Sequence, residues 1–248
     1  MARIVLVHGA FAGAWCWEPV VEPLRAAGHT AEAVDLPGSG ADDTPASEVN
    51  LDAYARTVCG LLAAGPPAIL AGQSMGGMAI TQAAARCPQH VIGLVYIAAF
   101  APQDGQRLID LVSYPEAADD QVQANLEVDG DVAILRGEGA KLAMLDCGTP
   151  EQAAWAEERL TPQPIGAFTQ KVSVGGERFT ALPRAYIYCS RDRAIPPEMQ
   201  RRMIADGDFD PVIEIETDHW PWLSRTDEFL AAMEEILGRP EFSDDLPG

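Results

Sequence analysis

The chain has 248 residues, 48% apolar and 22% charged, which fits one large globular domain or a core carrying an insertion and excludes collagen-like, disordered and disulfide-scaffold classes. Lys and Arg total 17 against 37 Asp and Glu, a formal charge of −20. Such a surface repels phosphate backbones and anionic membranes, so neither nucleic acid nor a membrane is an expected partner. The five cysteines, Cys16, Cys59, Cys87, Cys147 and Cys189, are widely spaced and form no C-x-x-C pair; the expectation is small buried thiols in a reducing compartment, with no zinc site and no disulfide framework. The N-terminal apolar run Ile4–Val7 is too short for a signal-peptide core or a membrane span, and a cytoplasmic protein is expected.

Short β-branched runs alternate with helical patterns, the sign of a parallel sheet built from β-α units. Ile4–Val7 is the first strand. Trp17, Val20, Val21 and Leu24 recur at helical spacing with Gly28 beyond their end, and a strand follows at Thr30–Leu36. The loop Pro37-Gly-Ser-Gly40 lacks the spacing of a phosphate cradle and reads as a tight turn. Asn50 caps a helix whose Leu51, Tyr54, Ala55, Val58, Leu61 and Leu62 form one stripe. Ala68–Gly72 is a buried strand, Met75–Arg86 an alanine-rich helix, and Val91–Ile97 a continuous apolar strand of a sheet covered on both faces.

From Gln103 to Leu182 the alternation is lost. Leu126–Ile134 reads as a hairpin around Asp129-Gly130, a pair favouring a type I′ turn, and helical stretches flank it. Alternation resumes with strand Ala185–Cys189, a helix over Pro197–Ala205, strand Val212–Glu216 and a last helix carrying Phe229, Leu230, Met233, Ile236 and Leu237. The expected organisation is therefore an α/β core over 1–102 and 183–240, an inserted cap over 103–182, and a loose acidic tail over 241–248.

Gly72-Gln-Ser-Met-Gly76 matches G-x-S-x-G at a strand-to-helix junction, which places Ser74 on the sharp turn. A serine hydroxyl needs a base and the base an orienting acid. Of the four histidines, His29 and His90 lie in connections and are expected to be solvated, and His8 ends the first strand as a structural residue. His219, on a loop after a late strand, is the candidate base. Asp192 ends the strand between Ser74 and His219 and fits the order Ser…Asp…His; Asp218 is too close to its neighbour's ring to orient it. The oxyanion donors are the backbone N–H of Met75 and one from the loop after the first strand, Ala10 first and Phe11 second, with Gly9 letting that backbone approach the substrate.

Val5-Leu-Val-His-Gly-Ala10, Trp15-Cys-Trp17, Asp35-Leu-Pro-Gly-Ser-Gly40, Gly72-Gln-Ser-Met-Gly-Gly77, Ile97-Ala-Ala-Phe-Ala-Pro102, Tyr188-Cys-Ser-Arg-Asp-Arg-Ala-Ile-Pro196 and Asp218-His219 resemble the α/β-hydrolase superfamily. Within it they resemble the branch of plant methyl esterases, hydroxynitrile lyases and bacterial esterases. The resemblance implies an α/β-hydrolase fold, a doubly wound, mostly parallel sheet lacking the first antiparallel strands, with a lid over the nucleophile. It also implies a position-specific contrast: lyases of this branch carry a threonine after the strand-end residue and a lysine after the catalytic histidine, whereas this chain has Gly9 and Trp220. Gln73 replaces the histidine usual before the nucleophile. A serine carboxylesterase for a small neutral aromatic or alkyl ester is expected, without metal or organic cofactor. Phe11, Phe100, Met144, Trp155 and Trp220 are candidates to line its pocket, and Trp222 is expected in the core. A homodimer is compatible with the sequence. The alternatives are a hydroxynitrile lyase, a ligand-binding protein that keeps the triad, and a cofactor-free oxygenase on the same fold.

Overall fold

A computed structural model describes residues 1–243 of the chain. Three β-α units and a fourth strand open it: strand β1 (Arg3–Val7), helix α1 (Glu18–Ala26), β2 (Thr30–Val34), α2 (Leu51–Ala63), β3 (Ala68–Ser74), α3 (Gly76–Arg86) and β4 (Val91–Ala99). The intervening segment carries short helices α4 (Leu108–Leu111), α5 (Gln121–Asn125), α6 (Gly137–Met144), α7 (Pro150–Glu157), α8 (Gly166–Thr169) and α9 (Glu177–Thr180), with strands β5 (Glu127–Asp129), β6 (Val132–Ile134) and β7 (Gln163–Pro164). The chain then returns through β8 (Arg184–Cys189), α10 (Pro197–Asp206), β9 (Val212–Ile215), α11 (Pro221–Ser224) and α12 (Thr226–Leu237).

The main sheet has six parallel strands in the order β2-β1-β3-β4-β8-β9, and β5-β6-β7 form a separate antiparallel sheet in the insertion. Strand periodicity explains the unbroken apolar runs: Val5, Val7, Leu94 and Tyr96 face a core shared with α2 and α3. Their neighbours Ile4, Leu6, Val95 and Ile97 face one shared with α1 and α12. Successive side chains thus enter opposite layers, and both must be apolar.

Three glycines let α3 sit against the strands. A Cβ on Gly72 would lie 2.7 Å from Gly76 O, and one on Gly76 would lie 2.7 Å from Val7 O and His8 O. One on Gly77 would collide with Phe100 O. The spacing that marks the motif in sequence is therefore a record of backbone contacts.

Several expectations need correction. The hairpin forms, but Asp129 pairs with Val132, so its two turn residues are Gly130-Asp131. Only Gly130 has positive φ (57°), as in turns with glycine at the first central position and not as in type I′. Residues 241–242 are not a loose tail: Pro240–Phe242 form a 3-10 turn and Phe242 is buried against Gly93; residues 244–248 lie outside the described residues. His29 is packed, accepting from Ala2 N at 3.2 Å through Nδ1 and pairing with Glu234 through Nε2.

The cysteines also differ. Cys59 on α2 and Cys87 at the end of α3 form a disulfide, with Cα atoms 6.0 Å apart. Both residues sit where the two helices pack together, a relation that spacing along the chain does not reveal. Cys16, Cys147 and Cys189 are free.

Two outcomes follow from this packing. Gly77→Ala should destabilise the fold severely in urea unfolding, whereas Gly60→Ala, on α2 with nothing within 4 Å of its Cβ position, should stabilise it by about 0.5–1 kcal/mol. Reducing the Cys59–Cys87 bridge, which closes a separation of 28 residues, should lower the unfolding free energy by up to about 3–4 kcal/mol. The double variant Cys59→Ala/Cys87→Ala should show no further response to dithiothreitol.

Candidate active site

Ser74 is the last residue of β3 and has φ 54°, a left-handed conformation that costs free energy in a residue with a Cβ. The turn is held on both sides. Phe100 N donates to Ser74 O at 3.0 Å, and Gln73 Nε2 donates to His219 O at 3.2 Å. Gln73 thus ties the residue before the serine to the backbone of the candidate base.

His219 and Asp192 meet through Nδ1 and Oδ2 at 2.7 Å, and both are almost fully buried. Asp192 Oδ1 accepts from Ala194 N at 2.8 Å and Ile195 N at 3.0 Å, and Oδ2 accepts from Gln200 Nε2 at 3.0 Å. Gln200, on α10, is itself fully buried; its amide also donates to Cys189 O and Ile195 O and accepts from Cys189 N. One side chain therefore ties the end of β8 to the acid. Sequence reasoning missed it, since a glutamine on a helix carries no visible mark of burial.

Asp218 points elsewhere. It accepts from Trp220 N and Ser224 Oγ, and from Cys147 N of the insertion at 2.7 Å. Burial pushes its carboxyl up to about 6. Its role is to fasten the loop after β9 to the insertion, which fits its exclusion as the orienting acid. His8 is equally structural. It donates from Nδ1 to Gly9 O at 2.7 Å and accepts from Leu36 N through Nε2 at 3.1 Å, a tautomer set by the network, and burial lowers its pKa.

The loop after β1 supplies backbone N–H groups beside Ser74. Phe11, at φ 66°, has its N–H taken by Gln163 Oε1 at 3.2 Å and its carbonyl by Thr161 N at 2.9 Å. The Ala10 and Met75 N–H groups are not spent on internal bonds among the described residues. Gly9 does not open the backbone to a substrate as expected: a Cβ there would meet the Gln73 side chain and lie 2.7 Å from Ser74 Cβ. It serves close packing behind Ser74.

A cavity of about 150 Å³ adjoins Ser74. Phe11, Phe100 and Met144 line it with Ala10 and Met75; Trp155 and Trp220 do not. Trp220 is buried and stacks on Trp222 at 5.5 Å, and Trp15 packs edge-on against both Trp220 and Trp155. Those indoles pair with one another outside the cavity lining, because apolar aromatic area is satisfied as well by a neighbouring ring as by a ligand. Trp222 is core, its Nε1 donating to Cys16 O at 2.7 Å. Sequence reasoning missed Leu108, Ile109, Val112, Asp120, Val122, Gln123, Leu126, Phe168, Ala194 and Ile195 in the lining. Most come from the insertion, whose irregular pattern gives no register to read. Among the described residues no His, Cys, Asp and Glu cluster could hold a metal ion, and no helix is long and apolar enough to cross a membrane.

The profile of the Alpha/beta hydrolase family matches residues 4–232. The chain belongs to the alpha/beta hydrolase family. This hydrolase is 31% identical to Methylesterase 7 of Arabidopsis thaliana over 96% of each chain. Among solved structures it is similar to polyneuridine aldehyde esterase, at 27% identity and a TM-score of 0.84, covering 95% of this chain and 99% of that one. It is also similar to a pyrethroid hydrolase from Sphingobium faniae JZ-2, at 28% identity and a TM-score of 0.87, covering 96% and 98%. With relatives along its whole length that are methylesterases and esterases, the hydrolase is an ester-hydrolysing enzyme.

The Gln200 network gives a sharp expectation. Gln200→Leu keeps the volume but strips a donor from Asp192 and leaves the Cys189 N–H unpaired in the interior, while the Cys189 carbonyl keeps Asp192 N as a donor. It should destabilise the fold by on the order of 3 kcal/mol in urea unfolding and lower kcat for p-nitrophenyl acetate in protein that remains folded.

Proposed function

We propose that the enzyme is a serine carboxylesterase of small esters. Ser74 Oγ attacks the ester carbonyl while His219 takes its proton, and His219 then returns that proton to the leaving alkoxide, releasing the alcohol and leaving an acyl-enzyme. Water, deprotonated by His219, attacks the acyl group and frees the acid and Ser74. Asp192 holds the imidazole by Nδ1–H and stabilises the imidazolium. The N–H groups of Met75 and Ala10 receive the oxyanion; Phe11, the second candidate, has its N–H engaged by Gln163. No step calls for a metal or an organic cofactor.

One observation carries this reading: a buried His219–Asp192 hydrogen bond of 2.7 Å on a loop that Gln73 fastens to the strained turn at Ser74, with an apolar cavity adjoining the serine. The cavity's size and mainly apolar walls favour a small ester, aromatic or alkyl, over an extended one. The lyase alternative loses support at both distinguishing positions. Trp220, where lyases of the branch carry a lysine, lies outside the cavity lining, and any Cβ at position 9 would crowd Ser74.

Ser74→Ala should cut hydrolysis of p-nitrophenyl acetate and of methyl phenylacetate by at least about 10³-fold with the thermal midpoint preserved. Wild-type turnover in the variant would refute the mechanism. Cyanide release from mandelonitrile by the wild type, without ester cleavage, would shift the assignment to the lyase.

A further inference from the structure

Asp120 is the charged residue in the lining of the cavity beside Ser74, and it is 5% exposed. The backbone puts it there. Asp120 caps α5, its Oδ1 accepting from Val122 N at 2.7 Å and Gln123 N at 3.0 Å. Its own N–H donates to Ala117 O at 3.0 Å, and the next N–H, of Gln121, donates to Arg193 O at 2.8 Å. The last bond ties the cap of α5 to the loop that carries Asp192.

Both capping bonds use the same oxygen. A helix start needs one acceptor, and Ser, Thr or Asn would supply it without placing a charge in an apolar cavity. The second oxygen, Oδ2, is surplus to that duty. The Gln123 side-chain amide, which gives one N–H to Val112 O at 3.0 Å, also reaches the carboxylate and works against the effect of burial. Burial pushes the Asp120 carboxyl up to about 6, and two backbone donors and one side-chain amide leave acceptor capacity on a carboxylate that lines the cavity, which a bound donor can fill.

We propose that Asp120 selects the substrate: through Oδ2 it accepts a hydrogen bond from a hydroxyl or ammonium group of an ester held in the cavity, so the preferred substrates carry such a donor on an otherwise apolar frame. This rests on the ester-hydrolase reading above and narrows its substrate class. A donor meeting a buried carboxylate makes a charge-assisted bond, whereas a hydrocarbon group of the same size at that place leaves the carboxylate unsatisfied. Discrimination by a site built to hydrogen-bond is correspondingly larger than discrimination by shape alone.

The test compares kcat/KM for methyl phenylacetates bearing, at each ring position, hydroxyl against methyl and aminomethyl against ethyl. At least one donor-bearing ester should exceed its isostere by about tenfold or more. Asp120→Asn keeps an acceptor for the cap but turns the second oxygen into an amide donor, and it should bring that ratio to one or below. The ratio within each pair is the readout, because a variant that only loosened the fold would lower both members alike. If the wild type prefers no donor-bearing ester, or if Asp120→Asn leaves the ratio unchanged, this proposal falls while the hydrolase reading stands. If neither these esters nor p-nitrophenyl acetate are hydrolysed, both fall.

Discussion

A carboxylate withdrawn from water must be compensated by donors, and the site is organised around the one at Asp192. Four hydrogen bonds reach it, from Ala194 N, Ile195 N, Gln200 Nε2 and His219 Nδ1. The first three come from its own loop and from α10, and the fourth crosses from the loop after β9. That crossing depends on β8 and β9 being parallel neighbours with Cys189 opposite Ile215, so that their carboxyl ends are level. The ladder continues past the strands, Ser190 N donating to Ile215 O and Arg191 N to Thr217 O, and it delivers His219 to Asp192 with little freedom left. Removing one of these donors would leave much of the burial cost in place, which is why such sites are more easily broken than weakened.

A second carboxylate extends the same logic outward. Asp218 joins the loop after β9 to Cys147, and Gln152 Nε2 donates to Leu223 O at 2.7 Å, so the insertion is fastened to the loop that carries the candidate base. Gln163 does the same on the other side of the cavity. It accepts from Phe11 N and donates to the hydroxyl of Tyr54 on α2 at 2.8 Å. Burial pushes that tyrosine up to about 12, so it stays a neutral partner throughout the working range.

The parallel core could be read from the sequence because its strands obey a strong rule: buried on both faces, they are continuous apolar runs set between helical stripes. The place of Ser74 on the turn after β3 and the meeting of His219 with Asp192 could be read for a related reason, since G-x-S-x-G encodes backbone contacts and the residues after β8 and β9 must converge at one end of a parallel sheet. What could not be read depends on contacts between distant segments. Gln200, Gln163 and Asp120 look like ordinary polar helix or loop residues until their burial is known. The Cys59–Cys87 bridge depends on how α2 lies against α3. Trp155 and Trp220 fall outside the lining because a large apolar ring serves a ring cluster as readily as a pocket, and the sequence does not choose between them.

The bonds made by Phe11 bear on modularity. Its N–H and its carbonyl are both committed to the insertion, to Gln163 and Thr161, although Phe11 belongs to the loop after β1 and adopts a conformation unfavourable for a phenylalanine. The insertion is thus a scaffold for the core's own turn and not a detachable cover. A lid grafted from another hydrolase would have to provide an acceptor and a donor at these two points, or the turn beside Ser74 would relax. Recombination between members of this fold should therefore succeed when segments 1–20 and 160–165 are inherited together.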